Sequence, residues 1–383
     1  MAARFLHTAD WQLGKPFAGV EDVQKRSILQ QERIEVLKRI ATAAQEHGAE
    51  FILVAGDVFD SSAATKATVS AACAAIRDMG RPVFIIPGNH DHGGPGSVWE
   101  QPFFLREQQS LAPNLRVLLK PEPVECESAI LYPCPLLRRH ESTDTTAWLR
   151  TLDIDADKPR VVLAHGSVQG FGTQDDDEEA GAGVNQIDLD RLDDGRFDYI
   201  ALGDWHGTKQ VNPRAWYAGT PEPDRFPRGE GNDPGHALVV TAGRGELPAV
   251  NRLDTARIGW HQTAFHFDDD SALDRLEAEL QKLSGNRARQ DLLRLELSGS
   301  LGIEAASALE SMIESWQARL VRLKLYDQTR IAPSPPELMA LTERASDPLI
   351  ARVARQLVEQ QSGDSEEAAI ARTALRVLYT QLA

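Results

Sequence analysis

The stretch Leu53-Val54-Ala55-Gly56-Asp57-Val58-Phe59-Asp60 decides how this chain is read. Phe51, Ile52, Leu53 and Val54 form an unbroken apolar run rather than an alternating one, the pattern of a strand covered on both faces in a parallel-type sheet. Gly56 lets the backbone turn and approach a ligand closely, and Asp57 sets a carboxylate at the strand's end. Four other apolar runs finish in the same way. Asp10 and Gln12 follow Arg4-Phe5-Leu6-His7-Thr8, and Asn89 and His90 follow Val83-Phe84-Ile85-Ile86-Pro87. His165 follows Val161-Val162-Leu163, and Asp204 and His206 follow Tyr199-Ile200-Ala201-Leu202. Ligand sites in open sheets lie at the carboxyl ends of strands, so five such ends can converge on one place.

With 383 residues the chain can bury a full core, one large domain and a smaller one. No apolar run approaches the roughly 20 residues that span a bilayer. Met1-Ala2-Ala3-Arg4 passes straight into the first strand, leaving no room for a signal peptide, so no membrane association is expected. Cys73, Cys126 and Cys134 lack metal-knuckle spacing and cannot all pair, which fits a reducing cytoplasm. Asp and Glu exceed Lys and Arg by 57 to 41, and the net charge of −16 repels polyanions overall. That counts against a stand-alone nucleic-acid binder. It leaves room for an enzyme that grips phosphate through metal ions, a local arginine cluster or a basic partner.

Arg26 to His47 reads as a helix stopped by Gly48, and Thr65 to Met79 as a second closed by Gly80. The resulting βαβαβ start predicts a layered α/β domain. Shorter strands follow at Leu115 to Leu119 and Ser128 to Tyr132, and Pro133-Cys134-Pro135 interrupts the pattern. The run Asp175 to Glu179 reads as a solvated loop or a flap that repels misplaced DNA. Gly219 to Gly235, dense in Pro and Gly, carries Arg225 and Arg228; it reads equally as a substrate-side loop and as a surface connection.

Near Arg257 the pattern changes. Strands at His261 to Phe267, Asp291 to Leu297 and Arg319 to Leu325 alternate with helices at Ala272 to Leu283 and Ile303 to Trp316, predicting a small α+β domain. Arg287, Arg289 and Arg294 are candidate phosphate contacts there, against the commoner reading of scattered surface arginines. Pro333, Pro335 and Pro336 mark a linker. Asp347-Pro348 opens a helix with Leu349, Val353 and Leu357 on one face. Asp364 and Glu367 form a box-like start to a last helix bearing Ile370, Ala374, Val377 and Leu378. The expected division is 1–255, 256–330 and 331–383.

Paired divalent metals need a carboxylate that bridges them and O and N ligands that complete each shell; such ions sit roughly 3.5 to 4 Å apart and clamp a phosphoryl group. Asp57 is the natural bridge. Singly, an Asp after Gly is commonly a turn or helix cap, and a lone His is commonly a satisfied core or surface residue. Five at successive strand ends strain coincidence.

Asp10-Trp11-Gln12, Gly56-Asp57-Val58-Phe59-Asp60, Gly88-Asn89-His90-Asp91, Ala164-His165-Gly166 and Gly203-Asp204-Trp205-His206 resemble, in order, the signatures of calcineurin-like metallophosphoesterases. With Leu6 to Gly14 and the appended small domain and helices, the chain looks most like the SbcD-type DNA repair nuclease subunits. The strong motifs span Asp10 to His206; beyond about Arg257 the similarity is architectural. The resemblance implies a layered β-sandwich core flanked by helices, a small α+β capping domain and C-terminal helices. It implies two metal ions, one held by Asp10, Gln12, Asp57 and His206 and the other by Asp57, Asn89, His165 and Asp204. His90 would approach the scissile phosphate, with Asp91 able to orient it. It also implies a DNA exonuclease on duplex ends, with endonuclease activity left open. Its partner would be an SbcC-type ABC ATPase docked on the terminal helices, whose apolar faces read equally as core packing. A homodimer is left open.

Two positions depart from the family pattern, which has His where this chain has Gln12 and Asp204. The ligand set is thereby harder and richer in oxygen, favouring Mn²⁺ or Mg²⁺ over Zn²⁺. The alternatives are a small-nucleotide phosphodiesterase or phosphatase, which the acidic balance favours, and a non-catalytic DNA-recruitment subunit with a degenerate metal site.

Overall fold

The computed structural model describes residues 2–152, 157–168, 184–192, 195–227, 229, 231–285, 287, 289–331, 333–363 and 365–382. The acidic run Asp175 to Glu179, Arg228 and Asp364 lie outside the described residues. The chain divides into two compact units, Met1–Ile258 and Gly259–Ala383.

The first unit opens with β1 (Ala2–Thr8), α1 (Val23–Glu46), β2 (Phe51–Ala55), α2 (Lys66–Asp78), β3 (Val83–Ile86), α3 (Pro102–Leu111) and β4 (Leu115–Val117). β5 (Val124–Glu125), β6 (Ile130–Cys134), β7 (Arg160–His165), β8 (Ser167–Val168), β9 (Gln186–Ile187) and β10 (Tyr199–Gly203) follow. β11 (Lys209–Gln210), β12 (Ala215–Tyr217), β13 (His236–Gly243) and β14 (Ala249–Asp254) complete it. Two six-stranded sheets result, ordered β14-β13-β1-β2-β3-β4 and β11-β12-β10-β7-β6-β5. One core lies between them: Phe5, Leu53, Phe84 and Leu238 of the first sheet cluster with Leu131, Leu163 and Tyr199 of the second. On the first sheet's other face Leu6, Ile52 and Ile85 pack with Leu37 and Ile40 of α1 and with Val69 and Ile76 of α2. β2 is therefore buried along its whole length, with β1 and β3 beside it in parallel register. Its continuous apolar run follows from that position.

Capping sets the helix boundaries. Asp22 accepts from the main-chain N–H groups of Gln24 and Lys25, and Thr65 from that of Thr68, starting α1 and α2. Pro133 and Cys134 belong to β6, paired with Leu163 and Ala164, where the sequence suggested an interruption. β5 reaches only Ile130 and Leu131, so Pro133 lies where, among the described residues, one edge of β6 has no neighbouring strand to receive an N–H.

The second unit contains β15 (Gly259–Phe267), α4 (Ala272–Ser284), β16 (Asp291–Leu301), α5 (Ile303–Arg319), β17 (Arg322–Asp327) and β18 (Arg330–Ile331). They build a parallel sheet with β16 central, packed on α4 and α5 through Leu276, Leu295, Leu309 and Trp316. α6 (Pro335–Thr342), α7 (Pro348–Gln360) and α8 (Glu366–Leu382) follow. The prolines read as a linker open α6: Ser334 and Glu337 form a capping box, and proline is tolerated in a first turn, where the N–H has no helical partner. Asp347 caps α7 by accepting from Ile350, and Ser365 Oγ accepts from Ala368 at the start of α8. No described helix is long and apolar enough to cross a membrane.

Candidate metal centre

The carboxyl ends of β1, β2, β3, β7 and β10 deliver their polar residues to one place. The turns after β1 and β2 run side by side, with the N–H of Asp10 donating to Gly56 O at 3.1 Å and that of Gln12 to Asp57 O at 2.9 Å. Asp10, Gln12, Asp57 and Asp204 all have positive φ, at 52°, 44°, 53° and 103°. Non-glycine residues adopt such angles at a cost, and these four cluster where five strands end. Close packing dictates two of the glycines. A Cβ on Gly56 would lie 2.2 Å from His165 Nδ1, and one on Gly203 would lie 1.9 Å from Ala55 O.

Ligand atoms of buried Asp10, Asp57 and His165 lie within 4.8 Å of one another. His165 Nδ1 donates to Ala55 O at 2.8 Å, which turns its Nε2 toward the cluster. That Nε2 is 3.1 Å from Asn89 Oδ1, 3.6 Å from Asp57 Oδ1 and 3.7 Å from Asp204 Oδ1. Asp204 joins by donating its main-chain N–H to Asp10 Oδ1 at 3.2 Å, and its Oδ2 accepts from Ser167 Oγ. On the other side His206 Nδ1 pairs with Asp224 Oδ1 at 2.9 Å, while its Nε2 is 3.3 Å from Gln12 Nε2. Gln12 Oε1 accepts from Lys15 Nζ at 2.7 Å.

The electrostatics are those of crowded carboxylates. Burial pushes Asp10 up to about 7; Asp57 and Asp204 add to the rise, and His165 and His206 oppose it. Burial alone would lower the His165 imidazole, but Asp57, Asp10 and Asp204 outweigh it and push it up to about 9. Three carboxylates, an amide oxygen and an imidazole nitrogen around one point are a donor set suited to an oxygen-preferring divalent ion. The residues present therefore fit a metal.

His90 sits beside the cluster. Its main-chain N–H donates to Asp57 Oδ1 at 3.0 Å, its Nδ1 meets Asp60 O at 2.9 Å, and its Nε2 is 4.0 Å from Asp57 Oδ2. The Asp91 carboxylate accepts from the N–H groups of Gly88 at 2.8 Å and Phe59 at 3.1 Å. Asp91 thus fixes the turn that carries His90, and the contact expected to orient the ring falls to the Asp60 carbonyl. Arg225 pairs with Asp224 at 3.3 Å and so stands one residue behind His206. In the second unit, Arg287 is tied to Asp291 at 3.0 Å, and Arg294 to Glu296 at 2.7 Å and over the Tyr326 ring.

Sequence reasoning missed Lys15, Arg33 and Asp224. Lys15 Nζ reaches Asp60 Oδ1 at 3.3 Å and Asp224 Oδ2 at 3.0 Å in addition to Gln12. Burial works to raise the Asp224 carboxyl, but His206, Lys15 and Arg225 hold it well below the usual range. Its signal was present: Asp224 lies in the Pro-rich loop singled out for Arg225.

Residues 3–208 match the model of the calcineurin-like phosphoesterase family. Among curated proteins, a subunit of the SbcCD nuclease of Bacillus subtilis (strain 168) is 38% identical over 93 residues, 23% of this chain and 22% of that protein. The corresponding subunit of the SbcCD nuclease of Staphylococcus epidermidis (strain ATCC 12228 / FDA PCI 1200) is 24% identical over 234 residues, 55% of this chain and 58% of that one. The matches thus span about a fifth and somewhat more than half of those relatives' lengths. The crystal structure of TT1561 of Thermus thermophilus aligns with a TM-score of 0.40 and 12% identity, over 67% of this chain and all of that one.

Proposed function

The chain belongs to the calcineurin-like phosphoesterase family, and from that premise we propose that it is a two-metal-dependent DNA nuclease acting exonucleolytically on duplex ends in DNA repair or processing. The observation that carries this reading is the meeting of Asp10, Asp57 and His165 within 4.8 Å, with Asn89 and Asp204 beside them. Asp10, Gln12, Asp57 and His206 are assigned to one ion, and Asp57, Asn89, His165 and Asp204 to the other. Divalent ions bound there supply Lewis-acid polarisation of the phosphoryl oxygens and activation of water. The oxygen-rich set favours Mn²⁺, with Mg²⁺ next.

In this assignment Asp57 holds the two halves of the site together, and it also receives the His90 main-chain N–H. His90 presents its imidazole to the scissile phosphate, steadying developing charge or handing a proton to the leaving oxygen. Asp60 O and Asp91 keep the ring and its turn in place. Ala55 O and Asp224 fix the tautomers of His165 and His206, so that each points a nitrogen lone pair inward. Arg225, and Arg228 in the same loop, are assigned to substrate contact.

Residues 1–255 carry the nuclease, 256–330 a capping domain and 331–383 the docking segment for an ABC-type ATPase of the SbcC kind. The docking assignment is supported by an apolar groove of about 670 Å³ on α7 and α8, lined by Val353, Leu357, Ile370, Ala374, Val377 and Leu378. It is supported too by the relatives' description as one subunit of a named nuclease. The three free cysteines accord with work in the cytoplasm. A net charge of −16 favours a second reading, a small-nucleotide phosphodiesterase or phosphatase.

The test is degradation of end-labelled linear duplex DNA with Mn²⁺, Mg²⁺ or no metal, beside His90→Ala. Metal-dependent cleavage lost in the variant is expected. Hydrolysis of bis(p-nitrophenyl) phosphate without DNA cleavage would favour the small-substrate reading, and no hydrolysis at all would overturn the enzymatic one.

A further inference from the structure

The second unit holds a polar cavity of about 670 Å³ that the nuclease reading does not use. Its walls include Arg330, Arg372 and Arg376 with Ser300, Thr329 and Thr373, and no carboxylate among the described residues lines it. In a chain with 57 acidic and 41 basic residues, a wall that carries three guanidinium groups and no acid among the described residues is a local inversion of charge. The fold builds it from two sides. Arg330 of β18 pairs across the ladder with Ser300 of β16, placing guanidinium and hydroxyl together. Arg372 and Arg376 lie one turn apart on α8 and so share a face. Arg372 is held in position by donating Nη1 to the carbonyls of Gln361 at 2.7 Å and Gly363 at 2.9 Å.

Thr329 Oγ1 is buried within the wall and has no hydrogen-bond partner among the described residues. Arg330 is exposed on the cavity wall. Guanidinium forks and hydroxyls together match tetrahedral oxyanions, which accept several hydrogen bonds at once, and the volume is that of a pocket for a nucleotide-sized ligand.

We propose that this cavity is a phosphoryl-binding site, taking either the phosphate of a small phosphoester or one phosphodiester of a nucleic-acid strand. The site stands on the second unit's residues alone and does not require that the metal centre be a nuclease.

The experiment is calorimetric titration of the full chain in EDTA, where the carboxylate cluster of the first unit has no divalent ion to hold phosphate. The probes are inorganic phosphate, thymidine 5′-monophosphate and a short single-stranded oligothymidylate. Arg330→Ala/Arg376→Ala is compared with wild type, along with Thr373→Glu, which places a carboxylate on an exposed lining position with little risk to folding. Binding of the first two probes, weakened at least about 10-fold in the double variant and lost in Thr373→Glu, establishes the small-phosphoester source. The same losses for the oligonucleotide alone establish the phosphodiester source. The titration is made without the divalent ion that the nuclease assay requires, so a failed nuclease assay and a failed pocket are told apart. Absence of binding by all three probes, or affinities equal in wild type and both variants, would overturn the proposal. So would capture of a glutamate-rich peptide in preference to every phosphate.

Discussion

Arg33, buried on α1, donates from Nη2 to the main-chain carbonyl of Asp10 at 3.1 Å. The same guanidinium reaches Trp11 O through Nε at 2.6 Å, Glu222 O through Nη1 at 2.7 Å and Thr220 Oγ1 at 3.0 Å. One side chain thus clamps the turn that carries Asp10 and Gln12 to the loop that carries Asp224. Burial lowers its pKa, with Asp224, Glu222, Asp60 and Asp10 offsetting the loss, and a guanidinium in such company stays charged.

An ammonium cannot reproduce four divergent contacts, so Arg33→Lys should weaken Mn²⁺ binding by roughly 10-fold, the scale seen when groups that orient metal ligands are lost. Arg33→Met should in addition destabilise the chain by about 3 kcal/mol, because three carbonyls lose their donor within the core. Calorimetric metal titration and urea unfolding read the two effects. Unchanged values in both variants would mean the two loops hold each other without the arginine.

Lys15 is a cation placed where a metal is also expected. Its Nζ lies 2.7 Å from Gln12 Oε1 and 3.0 Å from Asp224 Oδ2, competing for an oxygen assigned to the ion. Lys15→Met removes that charge and releases the amide oxygen. The expected outcome is Mn²⁺ affinity raised about 5-fold, a Coulomb effect that fades as salt is added. Weaker binding in the variant would show instead that Lys15 holds Gln12 and Asp224 in their working positions.

The strand ends were legible because burial and chemistry coincide there. The short apolar runs of β2, β7 and β10 are buried throughout as covered strands, and the polar residue that breaks each one stands at the sheet's edge. The pieces that escaped are those whose partners lie far along the chain. Arg33 occupies a helical face beside Val36, Leu37 and Ile40 and looks like a solvated cation until the loop 219–224, almost two hundred residues on, covers it. Likewise Pro335 and Pro336 read as a break, since the capping box of Ser334 and Glu337 that turns them into a first turn is a local pattern of low specificity. Asp91 was matched to its sequence neighbour His90, whereas its carboxylate closes the loop through Phe59, thirty-two residues away.

Gln12 sets the metal preference in this reading. Its amide oxygen is a neutral, hard ligand, and an imidazole at the same position, opposite His206, would make the pair softer. Gln12→His should therefore raise cleavage with Zn²⁺ relative to Mn²⁺ by about 10-fold, measured as the ratio of initial rates on one substrate under saturating metal. An identical metal profile in the two proteins would place the selectivity elsewhere, with Asp204 the next candidate.

Asp291, at the start of β16, gives the second unit an acid-sensitive anchor. Its buried carboxylate accepts from the Gly259 N–H at 3.1 Å, Ser284 Oγ at 3.1 Å and Arg287 Nε at 3.0 Å, and meets His261 Nε2 at 3.1 Å. Burial acts to raise its pKa, but the His261 and Arg287 contacts prevail and hold it below the ordinary value of 3.8. Between the two values the unfolded chain binds the extra proton, so the carboxylate's contribution is complete above about pH 4 and disappears as pH falls through the folded value. Asp291→Asn, unable to accept from all four groups, should lower the unfolding free energy by about 2 kcal/mol at pH 7. In urea unfolding followed from pH 7 down to 3, the gap between wild type and variant should narrow only at the acid end. A gap of constant size across that range would show that the loss comes from packing and not from the charge.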